Sequence, residues 1–218
     1  MLMKMGNKFR QWKFEKRRLE AFSDGVFAIV MTLLVLDLKV PPITHSENAR
    51  EVWDALVAVR PVFFSWAVSF FFVALIWVHH SNILRMSTGC DYGTTWINTF
   101  LMFLICLLPF PTSMMGAYPR SQIIVMLWGL TFSVTTSLLT WFYYYNVKNY
   151  LSPNFNKQTA MKNVRFSVLG GPLLYLIAAL LAFVSVYISY VIYALVPFLY
   201  ILPLDKETDK PSPNSMTE

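Results

Sequence analysis

Six hydrophobic stretches alternate with polar segments along the chain. We draw predicted spans at 19–39, 61–84, 94–114, 121–146, 166–186 and 189–204. A transmembrane helix needs about 20 mainly apolar residues. No charge occurs between Arg165 and Asp205, which is too long for one helix and predicts a hairpin of two. The pattern predicts an all-α, polytopic membrane protein with six transmembrane helices.

The polar segments divide the chain further. Residues 1–18 form a basic segment, residues 19–204 the membrane domain, and residues 205–218 a polar, Pro/Ser-rich tail that we expect to be disordered. A mixed helix is expected from Glu47 to Arg60, before a span whose first turn holds Pro61. The run Gly170-Gly171-Pro172 predicts a kink in the fifth span.

Composition and charge support a membrane protein and give it an orientation. The 218 residues are 56% hydrophobic and 14% charged, whereas a soluble domain has about 25% charged residues. With six spans, most Lys and Arg residues lie on the side of both termini, which the positive-inside rule places in the cytoplasm. The net charge of +6 then fixes topology beside anionic lipid, and we expect no nucleic-acid partner.

The first span has a carboxylate at each end. The uncharged run between Asp24 and Asp37 is too short to cross the hydrocarbon core, so Asp24 must lie at or inside its boundary. An ionisable group there is expensive unless it faces protein or water. We therefore expect this helix to face a protein interior or an aqueous path.

Helical geometry separates two faces of this span. With Ile29 at zero and steps of about 100°, one stripe lies within about 60° of zero and holds Phe22, Gly25, Ile29, Thr32, Leu33 and Leu36. Ser23 and Asp24 lie on the other side, near about +120° and −140°. Taken alone, an apolar stripe indicates ordinary helix packing. The polar Phe-Ser-Asp-Gly start, however, needs partners inside the protein.

Several residues are candidate partners for this polar start. At similar depth lie Asn98, His79, His80 and Trp96. Arg18 either fixes topology or pairs with Asp24. Asp37 either attracts cations at the outer mouth or pairs with Lys39 or Arg50.

Other classes of protein lack support in the sequence. It contains no Thr-Val-Gly-Tyr-Gly filter, voltage-sensor arginine ladder, nucleotide-binding loop, His-Glu-x-x-His or nucleophile elbow. Neither an enzyme nor a bound cofactor is expected. His79 and His80 with Asp91 make a poor metal site because adjacent side chains on a helix point about 100° apart. Cys90 and Cys106 indicate neither a disulfide framework nor a metal site.

Arg18, Phe22, Ser23 and Asp24 resemble the Arg-x-x-x-Phe-Ser-Asp motif that opens the first helix of the transmembrane protein 175 family. The resemblance implies a potassium-permeable channel in a prokaryotic cell membrane. It also implies a homotetramer whose first helices line the pore. Six spans in a short chain suit prokaryotic members of this family.

Site roles follow from the resemblance. It places the narrowest ring of the pore at Ile29, with further aliphatic layers at Leu33 and Leu36 and a pore-lining hydroxyl at Thr32. Arg18, Ser23 and Asp24 match a polar network that braces the helix, with His79, His80 and Asn98 as candidate partners and Phe22 as motif packing. Potassium is the expected permeant ion, passing Ile29 and Thr32.

Two alternatives to a channel remain at this stage. A secondary transporter for a cation or small solute would use Asp24 as a buried coupling carboxylate, but such proteins usually have inverted repeats and broken helices, which we do not find. A non-conducting membrane scaffold would give Ser23 and Asp24 no clear purpose.

Overall fold

The computed structural model describes residues 15–201. Most of the predicted basic segment 1–18 and all of the predicted tail 205–218 lie outside the described residues. The described part is mainly helical, and an isolated β-bridge joins Ser87 to Leu151. The α-helices are α1 (Lys16–Leu34), α2 (Ala49–Met86), α3 (Tyr92–Leu107), α4 (Pro109–Ala117), α5 (Gln122–Tyr150), α6 (Lys157–Val168), α7 (Leu174–Leu181) and α8 (Val186–Ile201).

Five helical segments of the described chain are long and apolar enough to cross a membrane, and a shorter apolar helix follows at Val186–Pro197. The third segment joins α3 to α4, and the fifth joins α6 to α7 through a π-helical turn at Leu169–Leu173. Each of these segments overlaps a predicted span, and five of them are long enough to cross a membrane. The fifth segment begins earlier than predicted, at Lys157, because the first helical turns of α6 are polar and precede the apolar part.

The predicted division between a short helix ending at Arg60 and a span beginning at Pro61 is wrong. Helix α2 is continuous from Ala49 to Met86 with Pro61 inside it. A proline inside a helix leaves the carbonyl four residues earlier without its usual donor. Here the guanidinium Nε of Arg60 donates to that carbonyl, on Val57, at 3.0 Å. The side chain of the preceding residue thus replaces the missing backbone hydrogen bond.

Two further helix irregularities also occur at prolines. The third segment breaks at Leu108, and Pro109 begins α4. Pro172 lies inside the π-helical turn, where the predicted kink falls. The Ser133 hydroxyl of α5 donates to the Pro172 carbonyl at 2.8 Å and ties this turn to the neighbouring helix.

A buried cluster of aromatic side chains holds α2, α5 and α8 together. Trp128 and Phe132 of α5 stack with ring centroids 3.7 Å apart, and Phe72 of α2 lies 3.8 Å from the Phe132 ring. The Tyr193 hydroxyl of α8 donates to the Val125 carbonyl at 3.0 Å. These aromatic side chains are buried and connect α2, α5 and α8 in one cluster.

The helices at the two ends of the chain pack against different neighbours. Helix α1 packs mainly against α2 and α3, whereas α6 and α7 pack mainly against α5 and α8. Helix α1 therefore lies at one edge of the bundle and α6–α7 lie away from it.

Three chain segments meet at the end of the bundle where α1 begins. Lys16 donates to the Ser87 carbonyl at 3.1 Å, and the Thr88 amide donates to the Tyr150 carbonyl at 2.7 Å. The start of α1, the α2–α3 loop and the end of α5 are thus on one side, which we call the basic side.

Candidate functional site

Helix α1 buries one face and exposes the other. Its buried residues are Leu19, Ser23, Phe27, Val30 and Leu34. All six residues of the stripe predicted from helical geometry are exposed, namely Phe22, Gly25, Ile29, Thr32, Leu33 and Leu36. The contrast is sharpest between neighbours, since Ile29 is 60% exposed and Val30 is 1% exposed.

Thr32 is the one side chain on this face that has a hydroxyl group. Its Oγ1 donates to the Ile29 carbonyl at 2.8 Å. The hydroxyl proton is used inside the helix, so the oxygen lone pairs are what Thr32 presents outward. An oxygen with free lone pairs is a suitable ligand for a cation.

A directed chain of hydrogen bonds fixes the buried side of α1. The Ser23 hydroxyl donates to the Leu19 carbonyl at 2.9 Å, and its oxygen accepts from the Asn98 amide nitrogen at 3.0 Å. The Asn98 amide oxygen lies 2.6 Å from Nε2 of His80. Because that amide oxygen only accepts, neutral His80 must carry its proton on Nε2. The chain joins α1 to α3 and α2.

Aromatic rings hold His80 in place. Its ring stacks on Phe142 of α5 with centroids 5.2 Å apart and an interplanar angle of 11°, and the Phe27 ring lies 5.6 Å away on α1. His79 is partly buried on another side of α2. Within residues 15–201, no group of three or more His, Cys, Asp or Glu side chains is placed to hold a metal ion.

Asp24 is exposed, contrary to the expectation that it faces neighbouring helices together with Ser23. Its carboxylate accepts a hydrogen bond of 2.8 Å from the indole of Trp77 on α2. Trp77 thus takes the place suggested for Trp96, whose ring instead lies beside Tyr92 and Phe100. Trp77 was missed, although it precedes His80 by three residues and so shares its side of α2.

The suggested ion pairs of the first span do not form within the described part of the chain, where the one ion pair joins Lys16 to Glu20. Arg18 is exposed and does not pair with Asp24, because six residues on a helix separate side chains by about 120°. Asp37, in a 3-10 turn after α1, pairs with neither Lys39 nor Arg50.

A second polar cluster, also missed from the sequence, stabilises the start of α3 on the basic side. Asp91 is the N-cap, and its carboxylate accepts from the Thr94 amide at 2.8 Å and from the Tyr145 hydroxyl at 2.9 Å. Burial by itself would raise the pKa of Asp91, but hydrogen bonds from Thr94, Tyr150 and Tyr145 outweigh it and lower this pKa. Asp91 is therefore an ionised structural residue.

Comparison with known proteins shows the family to which this chain belongs. The family model described as "Endosomal/lysosomal potassium channel TMEM175" matches residues 18–109, beginning at the arginine of the Arg-x-x-x-Phe-Ser-Asp motif. A potassium channel of Chamaesiphon minutus is 31% identical over 80% of this chain and 88% of that protein. The chain belongs to the TMEM175 family.

Two further TMEM175 relatives extend the comparison. The crystal structure of a homologue, from Chamaesiphon minutus, of the lysosomal potassium-selective channel TMEM175 has a TM-score of 0.74 at 27% identity. It covers 86% of this chain and 96% of that one. A potassium channel of Streptomyces collinus is 36% identical over 50% of this chain and 51% of that protein, so this match spans about half of each.

Membership in TMEM175 places the chain among integral-membrane cation channels and not among enzymes. It does not favour the secondary-transporter alternative for Asp24.

Proposed function

We propose that the chain forms a homotetrameric, potassium-permeable channel of a prokaryotic cell membrane, with α1 of each subunit lining a central pore. The observation that carries this proposal is the exposed stripe of α1. Asp24 and Asp37 bound an uncharged run of the first span that covers roughly 18 Å against a core of about 30 Å, so this helix cannot lie in lipid along its whole length. A shared aqueous axis gives the exposed stripe a surrounding other than lipid.

Assembly follows from the position of α1 at one edge of the bundle. One α1 cannot surround a pore, so copies of the stripe must meet around an axis, and closed cyclic symmetry is the usual solution. The resemblance of the first helix to the TMEM175 family implies a ring of four. The first helices would then meet along Phe22, Ile29, Leu33 and Leu36.

The constriction in this proposal is a ring of Ile29 side chains. Four isoleucines offer no oxygen ligands, so a passing ion sheds some water or waits until the ring widens, and the ring can gate by losing its water. Potassium releases water more easily than sodium because its charge density is lower. The outward lone pairs of Thr32, about one helical turn further along, would replace part of the lost hydration. Selectivity should be weaker than that of a carbonyl-lined filter.

The polar contacts behind the pore would set the rotation of α1. The hydrogen-bond chain from Ser23 through Asn98 to His80 holds the buried face of α1. The contact between Asp24 and Trp77 holds the border between the buried and the exposed face. Arg18 and Asp24 remain accessible to a neighbouring subunit. These contacts point Ile29 away from the bundle and toward the proposed axis.

Orientation follows from charge. The basic side carries exposed Arg17, Arg18, Arg85, Lys148, Lys157, Lys162 and Arg165 among the described residues. The positive-inside rule places this side, and with it both termini, in the cytoplasm.

Liposome reconstitution tests the channel proposal. Purified protein should carry potassium faster than sodium under matched gradients, with a current that reverses near the potassium potential. Slow exchange that saturates with substrate would instead indicate a transporter. Native mass spectrometry in detergent should give a tetramer, and a stable monomer that still conducts would overturn the pore model.

A further inference from the structure

The outward edge of α6 combines a basic pair with an apolar stripe. Lys162 and Arg165 are both exposed, and no ion pair within residues 15–201 involves either of them. The next turns along the same edge expose Phe166, Leu169 and Leu173. Spacings of three and four residues place all five side chains along one side of the segment.

Two independent features place the basic pair at the membrane surface. Arg165 is the last charged residue before the long uncharged run that contains α7 and α8. The Ser133 hydroxyl of α5 donates to the Pro172 carbonyl at 2.8 Å, which sets the relative heights of these antiparallel segments. Eight residues from this contact toward the basic side, Trp141 of α5 comes level with the helical turn that holds Arg165, and Trp141 is 56% exposed. Exposed tryptophan is typical of the interface between hydrocarbon and water.

The position of α6 within the bundle favours lipid as its neighbour. Helices α6 and α7 pack mainly against α5 and α8, away from α1. Any assembly built around α1 therefore leaves this edge on its outer perimeter. A cationic pair above an apolar stripe complements a lipid, which has a negatively charged headgroup and acyl chains. A soluble anion would contact the cationic pair but has no acyl chain to pack against the apolar stripe.

We propose that the outer edge of α6 binds an anionic phospholipid, with Lys162 and Arg165 on its phosphate and an acyl chain along Phe166, Leu169 and Leu173. The planar guanidinium of Arg165 can bind two phosphate oxygens at once, and the flexible Lys162 adds a second charge. This site depends on insertion in a membrane and not on the pore assignment.

Native mass spectrometry of the full chain tests the site. The protein is titrated with phosphatidylglycerol and, separately, with phosphatidylcholine that has the same acyl chains. Wild-type protein should retain phosphatidylglycerol preferentially. The double variant Lys162→Gln/Arg165→Gln should bind it roughly 30-fold more weakly, about fivefold for each cation removed. The control Arg17→Gln/Arg85→Gln removes the same charge from exposed positions on α1 and α2 and should bind as wild type does.

Three results would overturn the proposal. These are unchanged phosphatidylglycerol binding by the α6 variant, equal loss in the control, and displacement of the lipid by inorganic phosphate at matched concentration. The first excludes these two residues, the second indicates general attraction to a positive surface, and the third indicates a soluble-anion site. A short-chain phosphatidylglycerol should bind more weakly than the long-chain lipid if the apolar stripe contributes. Potassium flux in liposomes is a separate readout, so failure of the lipid site and failure of the channel are distinguishable.

Discussion

The indole of Trp77 donates a hydrogen bond of 2.8 Å to the carboxylate of Asp24, and this contact joins α2 to the exposed edge of the proposed pore helix. The carboxylate is exposed in the single chain and is thus available to a neighbouring subunit. We therefore expect Asp24 to hold α1 rather than to line the pore, since it lies outside the stripe that contains Ile29.

Trp77→Phe should weaken the tetramer more than it changes ion preference. It removes the indole donor but keeps an aromatic ring, and a hydrogen bond of this kind contributes about 0.5–1.5 kcal/mol. Asp24→Ala should give a similar or larger loss of assembly. Tetramer fraction against detergent concentration measures the effect. A well-assembled Asp24→Ala channel with normal conductance and altered selectivity would contradict the assignment of Asp24 as a bracing residue.

Ile29→Asn should raise the current and reduce the exclusion of sodium. Four amides would wet the proposed constriction and offer oxygens to a partly dehydrated ion. Val30→Asn is the matched control, because Val30 is buried against the bundle and should lose stability without this change in permeation. Reversal potentials under bi-ionic potassium and sodium separate the two variants. A shift for Val30→Asn but not for Ile29→Asn would show that α1 is rotated differently in the channel.

Asn98→Leu should destabilise the protein by about 2–5 kcal/mol, since it leaves both the His80 N–H and the Ser23 oxygen without their partner. A double-mutant cycle with Ser23→Ala and His80→Phe tests the chain itself. The two side chains are linked through the Asn98 amide, so their effects on unfolding should be non-additive by at least about 0.5 kcal/mol. The phenylalanine keeps the stacking on Phe142. Additive effects would mean that Asn98 does not transmit one change to the other.

Asp91→Asn should destabilise the protein at neutral pH, and its deficit should shrink in acid. The pKa of Asp91 is lowered in the folded state, so its stabilisation is complete above the unfolded value of about 3.9 and is lost as pH falls through the folded value. Unfolding temperatures of both proteins between pH 7 and pH 3 measure the difference. A deficit that stays constant below about pH 4 would contradict an ionised Asp91.

The stripe on α1 could be predicted because helical periodicity gives the angle of each side chain directly. The same geometry explains the error at Asp24. The buried residues of α1 centre near about +120° from Ile29, so Asp24 at about −140° lies beyond the edge of that face. A helical projection gives the direction of a side chain but not the width of the helices that cover it.

The continuity of α2 could not be predicted from the sequence. Pro61 normally indicates a helix start, and the prediction changes only once Arg60 is seen to supply a donor to Val57. That contact depends on one rotamer of an exposed side chain, which no periodic pattern encodes. The partner of Asp24 was missed for a related reason, since several aromatic residues lie at a similar depth and the sequence does not specify which one faces α1.

The hydrogen bond between His80 and Asn98 fixes the tautomer of the histidine that supports α1. Neutral His80 already donates to Asn98 from that nitrogen, so a second proton would enter at Nδ1 and leave every donor and acceptor in the chain as it was. A histidine in the opposite tautomer would have to reverse the Asn98 amide and thereby deprive the Ser23 oxygen of its donor. The direction of one side-chain amide thus decides which of the two neutral forms of His80 can hold the rotation of the helix.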